Sequence, residues 1–147
     1  MSPVIATVIL VAVAITVAVA VAYWMGGIAG QYTKFEKVEI QSAICTLEST
    51  GNWSIQMKLK NTGTATATLI SAFVNNLELM NYGTGYAPAE WNTNMTTSQA
   101  ITSGQSIVIE IYIDADRPAT TLSSGTTINI KIHSAGGMDY IKLVELI

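Results

Sequence analysis

Two stretches of unlike hydrophobic pattern make up the chain. From Val4 to Met25 every residue except Thr7 and Thr16 is apolar or aromatic, and no charged side chain precedes Lys34. Val and Ala alternate from Val11 to Ala22, which taken alone suggests a strand. A lone strand in apolar surroundings would leave its backbone unpaired, whereas a helix satisfies its own N–H and C=O groups. As a helix, the alternation spreads valine around the whole circumference, the pattern of a rod covered on all sides. Ser2-Pro3 suits a helix start, with serine placed to cap free N–H groups and proline at the first turn. About 22 residues at roughly 1.5 Å each give a rod of about 33 Å, enough to cross a bilayer core.

Covering this rod is obligatory. Exposure of a dozen large aliphatic side chains, at about 1.5 to 3 kcal/mol each, would forfeit tens of kcal/mol. The residues that must be covered are Val4, Ile5, Val8, Ile9, Leu10, Val11, Val13, Ile15, Val17, Val19 and Val21, with Tyr23 and Trp24 at the far end. Lipid can do this, and so can sibling helices, which the interspersed alanines allow to approach closely. Tyr23 and Trp24 fit an interfacial anchor in a membrane and equally a joint packed between rod and head. Thr7 and Thr16 can return their hydroxyls to a carbonyl one turn back. Gly26, Gly27 and Gly30 are expected to end or loosen the rod, as a hinge.

Beyond Lys34 short alternating runs replace the apolar block. Phe35 to Gln41 leads into Ile44 to Leu47, and Trp53, Ile55, Met57 and Leu59 alternate with polar partners. Further strand-like runs span Ala67 to Leu79, Ser106 to Ile113, Thr126 to His133 and Tyr140 to Leu146, separated by Gly-, Asn- and Ser-rich turns. Six or seven strands spaced in this way predict an immunoglobulin-like antiparallel β-sandwich. The predicted architecture is α+β, with a hydrophobic helix over residues 1–30 and a sandwich head over 31–147. Residues 81–105 break the pattern. Tyr82, Tyr86 and Trp91 in this stretch suit either a sticky surface loop or ordinary packing on the sandwich.

Charge and reactive residues narrow the function. All seven basic and all ten acidic residues lie in the head, and the net charge is −3. That balance offers no footprint for nucleic acid. One cysteine, Cys45, excludes an internal disulfide and suits a small buried hydrophobe. The single histidine, His133, has no acidic partner close by in sequence. Asp114 and Asp116 lack the other ligands of a calcium loop and suit a solvated turn. No nucleophile motif or phosphate loop is present, so a non-enzyme without cofactor or metal is expected. Asn52-Trp53-Ser54 and Asn94-Met95-Thr96 are acceptor sequons for N-linked sugar.

The run from Ser2 to Thr16 resembles the N-terminal signature of archaeal type IV pilins, a design shared with archaellins. In the head, Lys60 to Thr66 continuing through Phe73-Val74-Asn75-Asn76 resembles the N-T-G … V-N strand pair of such pilins. Ser103-Gly104-Gln105-Ser106 with Ile107 to Ile113 resembles their later turn and strand. The resemblance implies a prepilin whose basic leader is removed by a membrane peptidase, so that the numbering begins near the mature end. It further implies a membrane-inserted precursor, assembly machinery, and an extracellular homopolymer with helices in the core and heads outside. Bacterial pilins usually carry a glutamate near the mature N-terminus. Position 5 here is Ile5, which removes any charge-pairing account of docking. An adhesive pilus is the leading expectation. An archaellin of a motility filament and a monomeric membrane-anchored binding module are its rivals.

Overall fold

The computed structural model describes residues 2–83, 91–115 and 122–147. The chain separates into two compact units, residues 1–35 and 36–147. The first is one helix, α1, Pro3–Tyr32, with proline in its first turn. Ser2 has extended geometry and serves that turn through its carbonyl rather than its hydroxyl, accepting Ala6 N–H at 3.1 Å. Thr7 Oγ1 donates to Val4 O and Thr16 Oγ1 to Ala12 O, both at 2.8 Å, so each hydroxyl is absorbed by its own helix.

The helix does not stop at the glycines. It runs through Gly26, Gly27 and Gly30 and closes at Thr33, which caps in right-handed geometry and donates its N–H to Ala29 O at 3.1 Å. A glycine costs about 1 kcal/mol relative to alanine inside a helix, too little to interrupt a ladder already propagating on both sides.

The second unit is built from β1 (Val38–Leu47), β2 (Trp53–Asn61), β3 (Ala67–Val74), β4 (Leu77–Glu78), β5 (Asn81–Tyr82), β6 (Asn92–Thr93), β7 (Gln99–Ile101), β8 (Ser106–Ile113), β9 (Thr127–Ser134) and β10 (Asp139–Glu145). One sheet runs β1-β2-β8-β6-β5. The other runs β10-β9-β3-β4, with β7 also on β3. The pairings are antiparallel except for the short parallel pair β5–β6, an irregularity of the otherwise antiparallel sandwich. Alternate residues of both sheets form one core. Ile55, Met57 and Leu59 of β2 and Ile109, Ile111 and Ile113 of β8 supply one side; Leu69, Ala72 and Val74 of β3 and Ile128, Ile130 and Ile132 of β9 supply the other. Period-2 burial on both inner faces is what a two-layer sandwich requires.

Two expected strands differ in detail. Phe35 to Leu47 contributes one strand, β1, with an irregularity between Ile40 and Ser42. A bulge there re-aims the side chains, so that Ile40, Ala43 and Cys45 all pack against the core. The run Ala67 to Leu79 is cut into β3 and β4 by Asn75 and Asn76, at φ 49° and 67°. Two consecutive left-handed residues make the tight hairpin turn that asparagine tolerates. Asn75 is fixed further by Asn129, whose N–H donates to Asn75 Oδ1 at 2.9 Å.

Candidate functional site

The uncovered surface of α1 dominates the chemistry of the chain. No residue of the helix is buried, and each large side chain from Val4 to Met25 is at least 49% exposed. Leu10 reaches 72% and Tyr23 87%. Valine, isoleucine and leucine occupy every side of the rod, so no single stripe is singled out for one neighbour. The helix is long and apolar enough to cross a membrane. At about 1.5 Å per residue, thirty residues extend about 45 Å, beyond the hydrocarbon thickness of about 30 Å. Tyr23, Trp24 and Tyr32 are exposed aromatic residues in its C-terminal third.

The head offers little that resembles a reaction centre. His133 does have an acidic partner: β9 and β10 place Asp139 directly opposite, with Nδ1 2.5 Å from Oδ1. The pairing was hidden in sequence because the hairpin, not adjacency, brings the two together. Both groups sit on the surface, and no cluster of three or more His, Cys, Asp or Glu suited to a metal exists among the described residues. Asp114 is buried, and its carbonyl accepts the Trp91 indole N–H at 3.1 Å. Asp116 and Tyr86 lie outside the described residues. Trp91 is fully buried and Tyr82 half-buried, its hydroxyl accepting Ala72 N–H at 3.0 Å and donating to Glu78 Oε1 at 3.2 Å. Packing, not display, claims these two rings.

The two sequons part company. Asn52 and Ser54 are each only 7% exposed, and Asn52 Oδ1 accepts Ala115 N–H at 3.2 Å. The folded head therefore does not present the first sequon. Asn94 and Thr96 are exposed at the end of β6.

Two structural hubs escaped the sequence reading. Asn61 is fully buried; its Nδ2 donates to Ala65 O and Ile101 O, both at 2.8 Å, and its Oδ1 accepts Gly63 N–H at 2.9 Å. Its backbone binds Gln105 O and Gly104 N–H, and Ser103 Oγ donates to Gly63 O at 2.6 Å. The Asn-Thr-Gly and Ser-Gly-Gln-Ser segments are thus one hydrogen-bonded corner. The second hub is Glu36, whose Oε1 accepts the Tyr140 hydroxyl at 3.0 Å. Next to it Lys37 O takes the N–H groups of Thr62 and Gly63. A Cβ on Gly136 would stand 2.6 Å from Glu36 Oε2, so that glycine makes room for the clamp.

These contacts have a pH signature. Burial and the hydrogen bond to Glu36 push the Tyr140 phenol from its ordinary 10.0 up to about 12. Tyr112 is pushed up to about 12 by its hydrogen bond to Glu110, with burial adding to it. A raised value means that the folded head holds protons which the unfolded chain releases near pH 10. Their stabilisation is complete below about pH 10 and is lost as pH climbs to about 12. Thermal melts followed by tryptophan fluorescence should be flat from neutral pH up to that window and fall within it. Tyr140→Phe should lessen the fall.

No family model and no curated protein sequence matches the chain. Solved structures do. The archaellum periplasmic stator complex of FlaF and FlaG from Sulfolobus acidocaldarius matches with a TM-score of 0.51 at 20% identity, over 75% of this chain and 90% of that one. The FlaG stator protein from the same organism matches with 0.49 at 23% identity, over 75% and 100%. The archaeal flagellum of Methanospirillum hungatei matches with 0.48 at 16% identity, over 99% and 94%. At such identities the likeness to the FlaF–FlaG complex is one of fold: the chain shares a β-sandwich architecture with it.

Proposed function

We propose that the chain is the structural subunit of an archaeal type IV pilus, a cell-surface filament used for adhesion. One observation carries the reading. A thirty-residue helix exposes apolar side chains on every side and has no charged residue with which to meet water. In the precursor, lipid covers it. In the filament, identical helices cover one another and the heads form the outer wall. The prepilin peptidase and assembly machinery follow from the resemblance of Ser2 to Thr16 to the pilin signature. The head acts as wall and display surface and catalyses nothing.

A second reading, a component of an archaellum, draws support from the fold shared with the FlaF–FlaG stator complex. It includes both the archaellin of a motility filament and a stationary, membrane-anchored module that never polymerises. Deleting the gene separates pilus from archaellum. The pilus reading expects cells that lose surface attachment and still swim. Cells that stop swimming and still attach would reverse the preference.

A further inference from the structure

We infer that Asn94, and not Asn52, is the acceptor for an N-linked sugar, and that a cleft beside it seats the first sugar unit. The inference rests on the reading that the head is exported. Both tripeptides satisfy the sequon, so only the fold can distinguish them. At Asn52 both the asparagine and the hydroxyl residue Ser54 are buried, and the Asn52 carboxamide oxygen is engaged by Ala115 N–H. At Asn94 the arrangement is inverted. Asn94 and Thr96 are exposed, and Met95 between them is buried, 1% exposed, which pins the tripeptide to the head with its two functional residues outward.

The Asn94 carboxamide is also oriented. Its Oδ1 accepts Glu110 N–H at 2.8 Å, while its own backbone N–H donates to Glu110 O at 3.2 Å. This leaves Nδ2 as the uncommitted end. Glycosylation alters that end alone. The Nδ2–C1 bond forms as the C1–O bond of a lipid-linked sugar phosphate breaks; the lipid phosphate leaves with the electron pair, and one Nδ2 proton passes to a base of the transferring enzyme. The amide carbonyl survives, so the Glu110 contact persists and the head need not rearrange.

An open cleft of about 330 Å³ adjoins the site, lined by Asn94, Met95, Gln99, Ile107, Val108 and Ile109. Its volume lies within the range of small-ligand clefts, about 300–1,000 Å³. A sugar ring has an apolar C–H face and a rim of hydroxyls. Val108, 55% exposed, offers an apolar wall for the former. Gln99 accepts the Thr96 hydroxyl on Oε1, which leaves its Nε2 to donate to the latter.

The test uses the full chain purified from the cells that make it. Trypsin cuts after Lys37, Lys58, Lys60 and Lys131, so the sequons fall in separate peptides, 38–58 and 61–131, Arg117 being followed by Pro118. Mass spectrometry should find saccharide mass on 61–131 and none on 38–58. Asn94→Gln and Thr96→Ala should remove it, and Thr96→Ser should retain it. Sugar on 38–58 with 61–131 bare, no sugar on either peptide, or a mass that persists in Asn94→Gln and is therefore O-linked, would each overturn the inference. Protease shaving of intact cells reports the location of the head independently. An unmodified head released from the surface overturns the acceptor assignment and leaves the surface reading standing; an unmodified head sheltered inside the cell overturns both.

Discussion

Val13→Asp should abolish filaments while the head remains folded. Val13 lies in the first half of α1, 57% exposed in the single chain and surrounded by residues of its own kind. Once covered by lipid or by sibling helices, an aspartate there would be a charge without a counter-charge, because no charged residue precedes Lys34. Charged residues at the centre of a membrane helix cost about 2.5–3.5 kcal/mol on insertion scales, and an unpaired buried charge in protein costs several. A helical polymer repeats the penalty at every subunit, so the deficit is never diluted. The head keeps its own core and hydrogen bonds, and its tryptophan fluorescence and melting should match the parent in detergent. Val13→Leu, which preserves the apolar surface, should still polymerise. Normal filaments from the aspartate variant, seen by electron microscopy, would contradict this account.

Asn61→Ala should destabilise the head strongly. The substitution removes two donated hydrogen bonds and one accepted one at a fully buried position. Leaving the carbonyls of Ala65 and Ile101 without that donor costs about 1–3 kcal/mol for each unsatisfied group, a total on the order of 3 kcal/mol. For a domain of this size that lowers Tm by roughly 10 °C. Asn61→Asp is the informative partner. It keeps Oδ1 as acceptor for Gly63 N–H but turns a carboxylate oxygen toward two carbonyls, so it should destabilise at least as much near neutral pH. Thermal unfolding of both variants in detergent checks the pair. A shift of only a degree or two would show that the corner is held elsewhere.

The legible parts of this fold are those with a period. β2, β8 and β9 lie close to where alternation placed them, because each buries close to every second residue in the core shared by the two sheets. β4 to β7 are two or three residues long, too short to carry a period. They are set by distant partners instead: Thr93 Oγ1 donates to Glu110 O at 2.7 Å, and the Trp91 indole reaches Asp114 O. Of the two outcomes expected at the glycines, ending the helix fails for a related reason. Local propensity alone would allow a stop at Gly26-Gly27, but cooperativity along α1 outweighs it. Asn61 reads as one more turn residue, since its partner Ile101 is 40 positions away. A sequon likewise carries no record of burial, which is why Asn52 and Asn94 look alike on the page and differ in the fold. The exposed rod, by contrast, was legible almost completely, because a run of apolar residues without charge leaves few physical options.

The central claim is that this rod ends up among copies of itself. Electron microscopy of material sheared from the cell surface, with mass spectrometry of its subunit, tests that most directly. Filaments whose subunit is this chain, with heads outermost, are the expected result. Recovery of the chain solely as detergent-soluble single molecules in the membrane fraction, with no filament containing it, would contradict the account.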